Sequence, residues 1–216
     1  MGDTLGVIAC STSMSACSTQ TIERAYGYLE KMGFKLVEAP NVRKSVGHTA
    51  GSIAERVEAI HEFFRNPTID GIINFWGGYQ SHQLLEFLDF DLIRRNPKAF
   101  VGFSDTTALH VALHKITGLV TFSGPAAITF GKPTVPEFTV SNFRNVLMQP
   151  HVPLQIAAAK EFSDNPWYKE DDQKMIFREN PGWKIFRQGR AEGAIMGGNV
   201  GTMLLLAATR YWHDLT

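Results

Sequence analysis

Apolar positions along the first two thirds of the chain alternate between strand-like and helix-like spacing. Leu5-Gly-Val-Ile-Ala-Cys10 is a short continuous apolar run, as expected of a strand covered on both faces. Thr21 to Met32 reads as a helix, with Gly33 ending it, and Phe34 to Val37 as the next strand. Ser52 to Arg65 carries Ile53, Val57, Ile60, Phe63 and Phe64 at helical spacing until Asn66-Pro67 stops it. Gly71-Ile-Ile-Asn-Phe75 predicts a strand, followed by the turn Trp76-Gly77-Gly78-Tyr79. Leu84 to Leu88 opens a helical region that ends at Asn96-Pro97. Lys98 to Phe103 predicts a strand, Asp105 to Ile116 a helix ended by Gly118, and Leu119 to Phe122 a further strand closed by Gly124-Pro125.

This βαβα order predicts an α/β fold: an N-terminal doubly wound, largely parallel sheet with flanking helices. Ligands of such sheets bind in the crevice at the carboxyl ends of the strands. The turns at 76–79 and 102–105 both follow strands directly, so both are expected on that rim. Beyond Pro125 the pattern changes, broken by Pro133, Pro136, Pro150 and Pro153. A helix from Ser141 to Met148 is expected to close a first domain, 1–150. Residues 151–216 then form a second part: a polar loop from Asn165 to Gly182 with Trp167, Tyr168 and Trp183 embedded or adjacent, then Gly197-Gly198-Asn199 leading into an apolar helix through Met203, Leu204, Leu205 and Leu206.

Composition narrows the function classes. Lys+Arg and Asp+Glu both number 21, so the formal net charge is zero and no broad nucleic-acid or membrane surface is expected. The two cysteines, Cys10 and Cys17, are too few for a disulfide framework and lack metal-ligand spacing, which is expected of reduced thiols in a cytoplasmic protein. The apolar run at 5–10 has no basic segment before it, so it reads as a first strand and not a leader. Met1-Gly2 is followed by Gly at position 6, where myristoylation wants Ser or Thr.

Two turns could carry chemistry. In Gly102-Phe103-Ser104-Asp105-Thr106 a serine at a strand-to-helix junction exposes its hydroxyl at a helix N-terminus, where the following N–H can stabilise an oxyanion. Alternatively, Ser104 or Asp105 simply caps the helix. A positive φ at Ser104 distinguishes a strained nucleophile turn from a cap. In Trp76-Gly77-Gly78-Tyr79 the glycines allow close backbone approach to a ligand and leave N–H groups to face an anion, or they serve only a tight turn. His110 and His114 have the spacing of a zinc-binding pair, but Val111 stands where the general base belongs, so no metal site is expected. His48, His61, His82, His151 and His213 form no cluster visible in the sequence. Trp167, Tyr168 and Trp183 could stack on a base or ring, or pack their loop.

Gly102-Phe-Ser-Asp-Thr-Thr-Ala-Leu109 and Thr117-Gly-Leu-Val-Thr-Phe-Ser-Gly-Pro125 together resemble the nucleophile segment of the serine LD-carboxypeptidases. That family includes muramoyltetrapeptide carboxypeptidases and microcin C self-immunity proteins. Gly77-Gly78-Tyr79 with Leu84-Leu85 and Leu88-Asp89, Asn96-Pro97-Lys98, and Gly197-Gly198-Asn199 with its apolar helix follow in the family's order. The aromatics around 167–183 look more like the self-immunity branch, where a loop aromatic stacks on the nucleotide.

The resemblance implies a Ser-His-Glu triad with Ser104 as nucleophile and the N–H groups of Asp105 and Gly78 as oxyanion donors. It implies Gly77, Tyr79, Trp167 and Trp183 as substrate contacts. The family's glutamate and histidine lie downstream of the Gly-Gly-Asn segment, and neither Glu192 nor His213 fits their motifs. Residues 151–216 are therefore expected to hold a linker loop and the start of an incomplete C-terminal domain. The family usually has Asn where His82 stands, and a Pro-Ser pair where Cys10-Ser11 stands. The expected substrate is a small peptide, either the L,D-peptide bond of a muropeptide in peptidoglycan recycling or the amide of a peptidyl-nucleotide antibiotic. No metal or organic cofactor is expected. Without its base, the serine would keep only a residual rate enhancement of about 10³–10⁴ over water. The apolar helix at 203–207 would leave a patch for association, including a homodimer. A non-catalytic small-molecule or nucleotide-binding module is the alternative.

Overall fold

A computed structural model describes residues 2–149, 153–168 and 174–213. Five parallel strands form one sheet: β1 (Thr4–Ile8), β2 (Lys35–Glu38), β3 (Gly71–Asn74), β4 (Ala99–Gly102) and β5 (Phe122–Ser123), in the order β2-β1-β3-β4-β5. Val7 lies opposite Glu38 on one side and Ile73 on the other. The strand order reverses between β1 and β3, which makes their carboxyl ends the switch point where ligands bind in such sheets.

The helices form where the caps and apolar spacing require. In α1 (Thr19–Lys31), Ser18 accepts the N–H of Thr21 at 3.1 Å. In α2 (Ile53–Arg65), Ser52 and Glu55 cap each other reciprocally, an arrangement whose loss costs about 1 kcal/mol. Lys44 and the two Ser52 bonds draw the Glu55 pKa down to about 2. In α3 (Phe90–Arg95), Asp89 accepts from the N–H of Leu92 at 2.8 Å. The buried helix α4 (Thr107–Thr117) ends in a left-handed turn at Gly118. It packs against α3, the tight helical segment 81–87 and α6 (Val200–Leu206). Phe63, Phe64, Ile60, Phe100, Leu109 and Leu113 fill this core, with the Phe64 and Phe100 rings 6.1 Å apart. Truncating Leu109 to Ala there would cost about 2–5 kcal/mol. α1 packs instead on the segment Ala127–Gly131.

Several boundaries differ from the sequence reading. The strand expected at 119–122 pairs only at Phe122–Ser123, because Gly118 turns the chain and Val120 faces solvent. The helical region from 84 divides into 81–87 and α3, separated by extended Leu88. The helix expected at 141–148, α5, spans Glu137–Leu147, with Pro136 at its start, where no helical N–H is needed. The stretch 165–182 is not all loop: β6 (Glu161–Phe162) pairs antiparallel with β7 (Arg178–Glu179).

The sequence reading places a boundary at 150. The compact units observed are 1–131 with 197–216, and 132–196. In the first, α6 buries Thr202 and Leu206 and leaves Val200, Leu204 and Leu205 exposed. Among the described residues no helix is long and apolar enough to cross a membrane.

Candidate active site

The two rim turns meet. A Cβ added to Gly77 would stand 3.1 Å from Ser104 Cβ and 3.2 Å from its Oγ, so the Gly-Gly turn lies directly beside the serine. Ser104 has φ 61°, and it is the only non-glycine residue with positive φ among the described residues. Such a conformation costs an L-residue about 1–2 kcal/mol. Phe103 and Thr106, the residues at the N-cap positions of the helical turn 104–106 and of α4, form no side-chain cap bonds. The carboxylate of Asp105 turns away from the helix and accepts from the N–H of Ser81 at 3.0 Å and its hydroxyl at 2.7 Å. Ser104 thus has the positive φ expected of a strained turn, and the Asp105 carboxylate is engaged by Ser81.

Polar groups that sequence reasoning passed over hold the turns in place. Ser11, just past β1, accepts the N–H groups of Tyr79 and Gln80, both at 3.0 Å, and donates to Gln80 Oε1 at 2.8 Å. The N–H groups of Tyr79 and Gln80 are thus engaged within the protein. The N–H of Gly78 makes no such bond among the described residues. Gly78 itself has φ 151°, and a Cβ there would come within 2.1 Å of Ser11 Oγ. Buried Asn74 at the end of β3 accepts the N–H of Cys10 at 3.1 Å and donates to Trp76 O and Thr106 Oγ1, both at 2.7 Å. Arg56 of α2 is buried and donates to Cys10 O at 2.8 Å, Gln80 O at 3.3 Å and Gln83 Oε1 at 3.1 Å. Burial lowers its pKa, while the nearby Cys10 and Asp105 act in the other direction. Burial, then the Asp105 charge, pushes the Cys10 thiol well above its usual range, so Cys10 is an inert core residue.

Most of the described histidines are engaged elsewhere. His61 Nε2 accepts the N–H of Asp89 at 2.8 Å. His110 Nε2 lies 2.9 Å from Gly102 O, where it must be the donor, and burial lowers its pKa to about 4. His114 and His213 face each other at 3.1 Å. His48 and His82 are exposed, and His151 lies outside the described residues. Among the described residues no group of three or more His, Cys, Asp or Glu is placed to hold a metal ion.

Of the expected substrate contacts, Gly77 borders Ser104 and Tyr79 is 83% exposed on the turn after β3. In the second unit, Trp167 packs edge-on to Tyr168 at 6.0 Å, with Lys132 Nζ 5.6 Å from its ring centre. Trp183 is 71% exposed.

Comparison with known proteins identifies the family and the fold. Residues 5–124 match the LD-carboxypeptidase N-terminal domain. The microcin C7 self-immunity protein MccF of Escherichia coli is 33% identical over 210 residues, covering 94% of this chain and 60% of that protein. The crystal structure of an MccF-like protein from Bacillus anthracis str. Ames superposes with a TM-score of 0.94 at 37% identity, covering 100% of this chain and 65% of that one. A structure of MccF in complex with aspartyl sulfamoyl adenosine gives a TM-score of 0.88 at 31% identity, covering 100% and 66%. The chain spans 59% to 65% of the length of such curated relatives. The domain match begins in β1 and runs through β5, taking in both rim turns, and on that ground the chain belongs to the LD-carboxypeptidase family.

Proposed function

We propose that Ser104 is the nucleophile of a serine peptidase or amidase of the LD-carboxypeptidase type, with the N–H groups of Asp105 and Gly78 as oxyanion donors. The left-handed backbone of Ser104 carries this reading. A strained non-glycine residue persists only where its surroundings over-determine it, and such residues cluster at active sites. Gly77 leaves room beside the hydroxyl for a scissile carbonyl.

In the proposed reaction Ser104 Oγ attacks the amide carbonyl, and the electron pair of the C=O collects on the oxygen facing the two N–H donors. The amide C–N bond then breaks, the amine leaves with a proton, and water hydrolyses the acyl ester. A general base must take the Ser104 proton. None of the described histidines hydrogen-bonds Ser104, and the family assigns that role to a histidine downstream of Gly197-Gly198-Asn199.

The substrate we infer is the amide of an aminoacyl- or peptidyl-nucleotide, supported by the relative solved with aspartyl sulfamoyl adenosine. The L,D-peptide bond of a muropeptide is the other substrate of this chemistry. The test incubates the native full-length protein with aspartyl sulfamoyl adenosine or an L,D-tetrapeptide and measures products by mass spectrometry. Release of aspartate or of the terminal D-residue by the parent, abolished in Ser104→Ala, supports the reading and selects the substrate. Release that persists in Ser104→Ala, or binding without release by the parent, overturns it in favour of another site or a binding module.

A further inference from the structure

Both proposed oxyanion donors sit on turns that no regular secondary structure joins. Gly78 follows β3, Asp105 follows β4, and hydrogen bonds of the sheet ladder end before either residue. An oxyanion site works only if its donors keep their spacing while charge develops between them. Something must therefore fix one turn against the other.

We propose that the side chain of Asp105 is a positioning residue that sets this spacing by tying the Ser104 turn to Ser81, three residues beyond Gly78. The proposal rests on the nucleophile reading above and adds to it a role for a side chain whose backbone N–H is already assigned. The geometry is specific. One carboxylate oxygen, Asp105 Oδ2, receives both the backbone N–H and the hydroxyl of Ser81, at 3.0 and 2.7 Å, and both residues are buried. The same residue thus offers its N–H to the oxyanion site and its carboxylate to the opposite turn. A helix-capping aspartate would instead bond its own helix.

The cost of burying this carboxylate indicates that the strut is more than incidental. A buried carboxylate needs hydrogen bonds and a balancing charge. Ser81 supplies two of those hydrogen bonds, and buried Arg56 of α2 is a nearby cation. Its guanidinium also bonds Cys10 O and Gln80 O, so it holds the other flank of the Gly-Gly turn to the end of β1. Ser81 and Gln80 are consecutive; Ser81 ties the chain to the turn after β4, and Gln80 ties it to Ser11 just past β1.

The test compares the parent with Ser81→Ala, Asp105→Asn and Asp105→Ala in the native full-length protein. Fluorophosphonate inactivation separates binding (KI) from reaction at serine (kinact). Hydrogen exchange of the amides at 77–81 and 104–106 reads the coupling whether or not Ser104 reacts. Misplaced donors should lower kinact roughly 10- to 100-fold in Asp105→Ala, and by a smaller factor in Ser81→Ala, with KI unchanged. Asp105→Asn keeps an acceptor for Ser81 and should restore most of the rate. Exchange should quicken on both turns together in Ser81→Ala, the gentler variant if Asp105→Ala does not fold. A parent that does not react at Ser104 while exchange still couples the turns removes the nucleophile reading and leaves the strut. Exchange confined to the mutated turn, or a kinact in Ser81→Ala equal to the parent's, overturns the strut.

Discussion

Replacing Ser104 by glycine should make the protein more stable than replacing it by alanine, although both remove the proposed nucleophile. Ser104 sits at φ 61°, where a Cβ crowds the following carbonyl. Alanine keeps that Cβ and so keeps the strain, about 1–2 kcal/mol. Glycine relieves it but returns about 0.4–1 kcal/mol to the unfolded chain as extra conformational freedom. The expected net difference is about 0.5–1 kcal/mol in favour of glycine. In a unit made of residues 1–131 and 197–216, this corresponds to a Tm difference of roughly 1–4 °C. Paired thermal and urea unfolding of the two variants provides the assay, and the shared loss of the hydroxyl cancels. Equal stability, or a less stable glycine variant, would show that the turn is relaxed and remove the physical basis for reading it as a nucleophile turn.

Gly78→Ala should lose more than about 2 kcal/mol in urea unfolding, since its Cβ would enter the space of Ser11 Oγ at a φ that alanine avoids; a loss under half of that would mean that the turn re-forms easily. Arg56→Met fills the same stem but leaves Cys10 O and Gln80 O without their donor; a loss of about 3 kcal/mol is expected in the same measurement. His110 is neutral in the fold with its pKa lowered from 6.5 to about 4, so the unfolded chain binds the extra proton between those values and stability falls as pH drops through that window. Between pH 7.5 and pH 5 that single group accounts for about 2 kcal/mol, and His110→Gln should shrink the pH dependence by that amount, while His61, lowered in the same direction, acts in both proteins.

Much of the parallel sheet was legible because its strands are buried on both faces and read as continuous apolar runs, as at Leu5–Cys10 and Gly71–Phe75. Helix ends were legible where a single residue imposes them, as Gly118 does for α4. Shorter features carried no such signal. β6 and β7 are two exposed residues each, and the segment 81–87 is too tight for the helical period to mark. The return of 197–216 to the first unit depends on contacts such as the Asn199 N–H to Thr107 Oγ1 bond at 3.0 Å, which spans ninety-two positions.

Both turns of the site were legible from their glycines and the serine, but not the groups that brace them. Two signals were available. Arg56 falls four residues before Ile60 and seven before Phe63, on the apolar stripe of α2, where a charge needs a buried partner. Asn74 interrupts an apolar strand at its carboxyl end, where a side-chain amide can tie neighbouring loops together. Ser11 and Ser81 gave no comparable sign, because a serine in a loop is ordinary and its partners lie 68 and 24 positions away.

Ser104 is the proposed reactive group. Fluorophosphonate labelling of the native full-length protein, followed by peptide mapping, tests it most directly. We predict an adduct on the peptide containing Ser104, absent from Ser104→Ala and slowed in Gly78→Ala. An unlabelled parent, or an adduct on another residue that survives in Ser104→Ala, would contradict it.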